Sequence, residues 1–218
     1  MRSLLGFASG DLEVKGSAYT LGYAAVLGAA CALLLTGVAS FTAPYRRANA
    51  DADRKRNILT VLEVPYPKKV SSEELVTIFE TNVREEKSPE LEIYRYVPSG
   101  DSVGKETVAV HFEGPGLWGP IRGFLALDTD MRTIRGITFY EQEETPGLGG
   151  EIAADWFLKS FVGKEIVDAS GQAGIIIKGG GDQNALNEVD TISGATMTCD
   201  KVEELLNNVI EKIVQEKN

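Results

Sequence analysis

The sequence is poor in the residues that build metal centres and disulfide frameworks. Among 218 residues it contains one histidine, His111, and two cysteines, Cys31 and Cys199. A single histidine argues against a multi-histidine metal site or a histidine base, and the alternating segment VAVHF favours a structural role for His111. Two cysteines form neither a disulfide framework nor a metal-ligand pattern. We therefore expect no metal site, and we interpret each cysteine as a small apolar residue, with a reactive thiol at Cys199 as the alternative.

Basic residues are outnumbered by acidic ones. The 22 Lys and Arg residues against 32 Asp and Glu residues give a net charge of −10. A surface of this sign repels phosphates and anionic lipid headgroups, so no nucleic-acid partner is expected. The chain also lacks internal repeats and low-complexity tracts. Its length suits one domain with an appendage, or two small domains.

Charged residues are absent from residues 16–45. Within this stretch, residues 19–41 would rise about 35 Å as a helix, which is enough to cross a hydrocarbon core. Small residues three and four apart are typical of helices that pack against other membrane helices, and here they are Gly22, Ala25, Gly28, Ala29 and Ala32. We predict an N-terminal tail at 1–18 and a transmembrane helix at 19–42. A cleaved signal peptide is the alternative, but its apolar core would be shorter and closer to the N-terminus.

Basic residues flank the predicted span unequally. Arg2 and Lys15 precede it, and five basic residues follow it, namely Arg46, Arg47, Arg54, Lys55 and Arg56. The positive-inside rule alone would therefore leave the C-terminal part of the chain in the cytoplasm.

The rest of the sequence predicts a helical stalk at 43–64 and a domain at 65–218. The stalk ends before Pro65. Residues 71–86 predict an amphipathic helix with Ser72 ahead of Glu73 and Glu74. Strand-like runs at 91–97, 107–112, 121–128 and 133–141 predict a mainly antiparallel sheet. Helical spacing follows at 154–163, a short strand at 174–178, a loop at 179–190 and a final amphipathic helix from Cys199. The predicted fold class is α+β, with one N-terminal transmembrane helix followed by a mainly antiparallel sheet with flanking helices.

The segment DTISGATMTCDKV, residues 190–202, precedes the final helix and carries three hydroxyls, on Ser193, Thr196 and Thr198. The simplest interpretation is helix capping, by Thr198 or by Asp200 with Glu203 three residues on. A helix N-terminus is also suited to binding phosphate, because it presents free N–H groups and the positive end of the helix dipole. The turn ahead of it would let the backbone approach a ligand closely. The segment therefore predicts either a capped helix or a phosphate site.

Two glycine-rich loops each carry isolated large apolar residues. Leu148 stands between glycines in EQEETPGLGGEI, and Leu117 and Trp118 stand in EGPGLWGPI. Either loop could be a plain connection between secondary-structure elements. An apolar side chain on a permissive backbone is, however, well suited to packing against a flat ring. Together with the phosphate turn, these loops predict a site for an aromatic nucleotide such as a flavin.

Two of these motifs resemble those of a known family. Asp190-x-x-Ser193-Gly194-Ala195-Thr196 is similar to the flavinylation motif of the covalent FMN-binding domains. This family is found in the C subunit of the sodium-translocating NADH:quinone oxidoreductase and in the G subunit of the Rnf electron-transport complex. The run from Glu144 to Gly149, ETPGLG, is similar to the family's other signature. The stretches ANADADRKRNILTVL, GLW and YEQEETPGLGGE resemble the C subunit of the quinone oxidoreductase more closely than the Rnf protein.

The resemblance implies a covalently bound cofactor. An FAD-dependent flavin transferase would attach FMN, through its phosphate, to the hydroxyl of Thr196 as a phosphoester. Asp190 would orient this threonine or hold the turn by an Asx-type bond. The phosphate-facing turn would be shaped by Ser193, Gly194 and Ala195. The ring would be lined by Glu144, Thr145, Leu148 and Gly149. Trp118 is a further candidate for the ring pocket and Lys178 for the phosphate or ring edge, each with a structural role as the alternative.

The resemblance also implies a place in a membrane complex. The flavin would relay electrons among other membrane and flavoprotein subunits of a complex that oxidises NADH, reduces quinone and pumps sodium ions. No residue of this chain is expected to act as a catalytic acid, base or nucleophile. Because the transferase acts outside the cytoplasm, the domain is expected on the periplasmic side of the bacterial inner membrane, against the charge count. The alternatives are the G subunit of the Rnf ferredoxin:NAD complex and a membrane-anchored, non-redox binding domain of the same fold.

Overall fold

A computed structural model describes residues 11–67, 69–98, 105–180 and 184–217. The chain forms two compact units, Met1–Ala50 and Asp51–Asn218. Residues 1–10 of the predicted N-terminal tail and residues 181–183 of the predicted loop lie outside the described residues. The predicted divisions at residues 19, 43 and 65 remain predictions.

The first helix, α1 (Asp11–Val61), contains the apolar run and the predicted stalk up to Val61. By length and composition it could cross a membrane. Its apolar side chains at 19–41 are almost all exposed, for example Leu33 and Leu35. The end of α1 belongs to the second unit, where three of its side chains, Ile58, Leu59 and Val61, are buried in a hydrophobic core together with Leu62, which follows the helix.

The second unit is built on a five-stranded antiparallel sheet, which confirms the predicted mainly antiparallel sheet and adds one strand ahead of the four predicted runs. Its strands are β1 (Val83–Lys87), β2 (Glu92–Tyr96), β3 (Thr107–Pro115), β4 (Pro120–Asp128) and β5 (Ile134–Glu141), and they pair in sequence order. The longest register joins β3 to β4, from Thr107 opposite Asp128 to Pro115 opposite Pro120. The loop between these two strands is closed by a hydrogen bond from Gly116 N to Gly119 O at 2.8 Å.

Helices cover both faces of this sheet. Successive strand residues point to opposite faces, so each face builds its own hydrophobic core. On one face, Val110, Leu125 and Ile137 lie in a core with the last helix, α4 (Thr196–Lys217), and with the short α3 (Asp155–Ser160). On the other face, Ala109 and Phe124 lie in a core with the end of α1 and with α2 (Ser72–Asn82). The α+β class and its flanking helices are confirmed.

The predicted helix at 71–86 was too long, and its predicted cap was off by one residue. Ser71 caps α2 in a capping box: its hydroxyl accepts from Glu74 N at 3.2 Å, and the Glu74 carboxylate accepts from Ser71 N at 3.0 Å. The helix ends at Asn82 because Val83 takes an extended conformation (φ −111°, ψ 130°) and begins β1. Pairing of Val83 with Tyr96 outweighs the helical tendency of the charged residues that follow.

The predicted loop at 179–190 ends in a strand. β6 (Ile176–Lys178) and β7 (Glu188–Asp190) form a small parallel sheet, with Ile177 opposite Val189. Val189 is buried in the core that also contains α4. The loop prediction was therefore wrong at this end. A strand of three residues is too short to show an alternating pattern in the sequence.

His111 lies on the sheet face toward the end of α1, away from the predicted cofactor motifs. Its Nε2 is 2.9 Å from Tyr140 Oη, its ring stacks on that of Tyr140, and its Nδ1 is 3.7 Å from a Glu92 carboxylate oxygen. Burial is the largest cause that lowers the pKa of His111, and the nearby Arg54 guanidinium adds to the effect.

We expect His111 to make stability depend on pH. The unfolded imidazole has a pKa of about 6.5, and the folded one has a lower pKa, so between the two values the unfolded state binds more protons. The free energy of unfolding should therefore fall as pH drops below about 6.5, until the folded pKa is passed. His111→Gln can still bond to Tyr140 but does not titrate, so thermal unfolding of this variant in detergent should depend less on pH between 5 and 7. Equal pH dependence in both proteins would contradict this.

Candidate functional site

Three segments meet at one end of the second unit and line a cleft of about 310 Å³. They are the loop between β3 and β4, the loop after β5, and the start of α4. The lining residues are Leu117, Trp118, Glu144, Thr145, Leu148, Gly149, Gly194, Ala195, Thr196, Met197 and Thr198. A larger cleft, of about 840 Å³, is lined by Arg54, His111 and Tyr140 among others and contains none of the predicted site residues.

The loop after β5 folds so that Leu148 projects into the cleft. Thr145 O accepts hydrogen bonds from Leu148 N at 3.1 Å and from Gly150 N at 2.9 Å. This tight turn runs into a short 3₁₀ helix (Gly149–Ala153). Leu148 is left 44% exposed because no helix or sheet covers it. The local backbone therefore presents one apolar side chain to any ligand in the cleft.

The turn ahead of α4 depends on Gly194. Its φ is +80°, a left-handed conformation that a residue with a side chain rarely adopts. A Cβ at this position would also lie 3.1 Å from Leu148 Cδ2. The turn places Thr196 as the first residue of α4, with its side chain exposed in the cleft. The first N–H groups of an α-helix lack acceptors within the helix, so this end of the cleft favours an anion.

Glu144 connects all three segments. Its Oε1 accepts hydrogen bonds from Leu117 N at 2.8 Å and Trp118 N at 3.4 Å, and its Oε2 accepts one from Thr198 Oγ1 at 2.8 Å. Glu144 is only 4% exposed. Among the described residues, no Lys, Arg or His forms an ion pair with it. Three neutral donors thus hold a buried carboxylate at the floor of the cleft.

Glycines make room for this carboxylate. A Cβ on Gly116 would lie 2.5 Å from Glu144 Oε1, and a Cβ on Gly149 would lie 2.9 Å from Glu144 Oε2. The Gly149 Cβ would also overlap with the hydroxyl of Thr198. Residues 116 and 149 must therefore lack a side chain so that the Glu144 hydrogen bonds can form.

The predicted capping of the last helix was wrong. Since α4 begins at Thr196, Thr198 lies inside the first turn, and its hydroxyl donates to Glu144 rather than accepting from the backbone. Asp200 and Glu203 also lie inside the helix. The Glu203 carboxylate accepts a hydrogen bond from Ile177 N and so connects α4 to β6. The side chains of Thr198 and Glu203, which local rules assigned to capping, are therefore bonded to partners in other segments of the chain.

The structure brings eight of the eleven predicted site residues to the cleft and places three outside it. The three that do not line the cleft are Asp190, Ser193 and Lys178. The Asp190 carboxylate accepts from Gly180 N at 3.0 Å and from Thr191 N at 3.1 Å, so it holds the backbone ahead of the turn. Lys178 Nζ donates to Glu188 at 2.8 Å within the small parallel sheet. Ser193 is exposed in the turn itself.

Sequence reasoning assigned no role in the cleft to Met197 and missed the pairing of Thr198 with Glu144. Four large apolar side chains of the cleft are exposed by 39% to 71%, namely Leu117, Trp118, Leu148 and Met197. The sequence offered one signal for Met197: a large apolar residue stands on the solvent side of the first turn of a helix. Clusters of exposed apolar side chains mark binding sites.

The residues of the cleft fit an FMN group. Apolar side chains offer surfaces for a flat ring, the start of α4 offers N–H groups for a phosphate, and Thr196 offers an exposed hydroxyl beside them. The volume is at the lower limit for ligand pockets, so a ring bound here would remain partly open to solvent.

Comparisons with known proteins agree with this fit. The profile of the FMN-binding domain family matches residues 116–211. Over 108 residues the chain is 45% identical to the C subunit of the Na(+)-translocating NADH-quinone reductase of Vibrio anguillarum, covering 49% of this chain and 42% of that protein. The match thus spans less than half the length of that relative. The corresponding protein of Pasteurella multocida is 29% identical over 81% of this chain and 83% of its own length.

Two solved structures share the fold. The crystal structure of the C subunit of the Na(+)-translocating NADH-quinone reductase from Parabacteroides distasonis has a TM-score of 0.62 and 30% sequence identity. The likeness covers 75% of this chain and 90% of that one. NqrC of Shewanella oneidensis has the same TM-score at 24% identity, which supports the fold alone.

Proposed function

The chain belongs to the FMN-binding domain family that includes the C subunits of Na(+)-translocating NADH-quinone reductases, and we propose on this basis that it is an electron-carrying flavoprotein subunit of such a complex. FMN is attached through its phosphate to Thr196 Oγ1. The observation that carries this proposal is the exposed Thr196 hydroxyl at the N-terminus of α4, inside a cleft with apolar surfaces.

Different residues of the cleft bind different parts of FMN. The bound flavin would supply electron transfer, and the protein supplies its attachment and orientation. The start of α4 stabilises the phosphate. Leu148 and Trp118, which are exposed in the cleft, would pack against the ring and exclude water from part of it. Asp190 keeps the preceding backbone in place through its bonds to Gly180 N and Thr191 N.

Attachment needs a partner enzyme. With FAD as donor, the Thr196 oxygen forms a bond to the FMN phosphorus, the phosphoanhydride bond to AMP breaks, and the hydroxyl proton is released. The carboxylate among the residues that line the cleft, Glu144, already accepts three hydrogen bonds and is a poor candidate for a base. Activation of Thr196 therefore falls to the flavin transferase, which makes this enzyme a maturation partner. The other partners are the remaining subunits of the complex.

The domain lies on the periplasmic side of the bacterial inner membrane, with α1 as a single span. The basic residues after the apolar run argued for the opposite side. Three of them are paired with carboxylates of the second unit: Arg54 with Glu92 at 2.6 Å, Lys55 with Asp51 at 3.5 Å and Arg56 with Asp53 at 2.6 Å. These three basic residues therefore form ion pairs within the folded domain. Their presence after the apolar run can be explained without reference to membrane topology. No observation favours the Rnf protein or the non-redox domain.

One experiment tests attachment and orientation together. The full chain is expressed with the flavin transferase, either exported or deprived of its export signal, and its intact mass is measured. We expect one FMN adduct only with the exported transferase. An adduct formed only with the retained enzyme would contradict the periplasmic orientation, and no adduct with either would contradict the covalent flavin.

A further inference from the structure

Glu144 is a buried acidic group. Neither the attachment of FMN nor the transfer of electrons through it requires this group to be charged. We propose that its carboxylate lowers the reduction potential of the flavin in the cleft. This inference rests on the proposed function, because it needs FMN at Thr196. Glu144 lines the cleft, is 4% exposed and has no ion-pair partner among the residues that the structure describes.

The hydrogen bonds alone do not explain a carboxylate at this position. Two of its donors are the backbone N–H groups of Leu117 and Trp118, and both reach Oε1. A glutamine could accept both with its carbonyl oxygen and donate from its amide to the Thr198 hydroxyl, which accepts as well as it donates. Burying a charge costs more than burying a neutral amide. These three hydrogen bonds, called the Glu144 clamp below, are thus possible without a charge. The presence of a charge at this position therefore needs an explanation of its own.

That role follows from the charge that reduction brings into the cleft. Each electron that a neighbouring protein of the complex transfers to the ring adds one negative charge unless a proton follows from solvent. A fixed carboxylate in a poorly solvated site raises the free energy of the more negative state. The three donors that hold Glu144 are neutral, so they weaken this field without cancelling it. Reduction of the flavin becomes less favourable, and the reduced flavin becomes a stronger electron donor.

The test compares two neighbouring substitutions in the full chain that carries FMN. Glu144→Gln removes the buried charge and can keep the clamp. Glu143→Gln removes the same charge from an exposed side chain, where water screens it. In potentiometric titrations with dithionite as reductant, followed by flavin absorbance, we expect a shift of the midpoint potential to more positive values in Glu144→Gln and a much smaller one in Glu143→Gln. No shift in Glu144→Gln, or equal shifts in both variants, would overturn the proposal.

Thr198→Val separates charge from packing. This variant keeps the carboxylate but removes one of its three donors. The less compensated charge should leave the potential at or below that of the unmodified protein. A rise in Thr198→Val would show that disturbance of the clamp, rather than loss of charge, moves the potential, and it would overturn the proposal even if Glu144→Gln failed to fold. An FMN adduct without the expected shifts contradicts this inference alone, whereas a missing adduct in the unmodified chain contradicts the proposed function as well.

Discussion

Replacing Thr196 with alanine should abolish covalent attachment of FMN. The mass of the purified chain should equal that of the polypeptide alone, and flavin fluorescence should vanish from denaturing gels. Thr196 is exposed and starts α4, so its loss should leave the fold intact. The other hydroxyls of the cleft are not expected to replace it. Thr198 is 2% exposed and donates to Glu144, and Thr145 lies on the loop after β5 rather than at the N-terminus of α4.

Three further variants control this result. Thr196→Ser keeps a hydroxyl at the start of α4 and should still accept FMN, whereas Ser193→Ala and Thr198→Val should retain the adduct because neither supplies the reacting oxygen. All variants are expressed with the exported transferase, and circular dichroism checks that each is folded. Full flavin in Thr196→Ala would move the attachment point to Ser193, Thr198 or Thr145.

The regular parts of the fold were predictable because their patterns are local. The strand-like apolar run at 121–128 predicted β4, and the run of apolar residues at 3.6-residue spacing from Val202 predicted α4. At 83–87 the sequence VREEK carries no alternating apolar pattern, and only pairing with β2 makes it a strand. β7 likewise depends on burial of Val189 beside β6. Tertiary partners therefore decided the elements that the local signals missed.

The site was predictable in its motifs but not in its internal contacts. The run of glycines around Leu148 and the turn before Thr196 both pointed to the cleft, because each needs a backbone that few residues adopt. The hydrogen bond between Glu144 and Thr198 joins residues 54 positions apart, and no spacing rule reveals it. Lys178 was a candidate for the phosphate or the ring edge, with a structural role as the alternative, and the adjacent strand places Glu188 within 2.8 Å of its ammonium. Charge and proximity in sequence cannot identify which counter-ion the fold will supply.

Replacing Gly149 with alanine should strongly destabilise the second unit and impair flavin binding. The new Cβ would overlap with the Thr198 hydroxyl and lie 2.9 Å from Glu144 Oε2. Either the core around α4 shifts or the Glu144 hydrogen bonds break, and overpacking and an unsatisfied buried carboxylate each cost about 1–3 kcal/mol. We expect a loss of about 3 kcal/mol, or a drop in melting temperature of roughly 6–12 °C. Gly179→Ala is the matched control, because its Cβ would meet only Thr191 Cγ2, at 3.6 Å.

A double-mutant cycle shows whether the Glu144 clamp is the cause. Thr198→Ala removes the hydroxyl that the Gly149 methyl group would strike, at the cost of one hydrogen bond to Glu144. If the clamp is responsible, Gly149→Ala should cost less in the Thr198→Ala background than in the unmodified protein, because residues in contact do not contribute additively. Thermal unfolding of the four full-length proteins in detergent measures the coupling. Additive losses would mean that the two positions act independently, and the contact between the loop after β5 and the start of α4 would then not depend on this hydrogen bond.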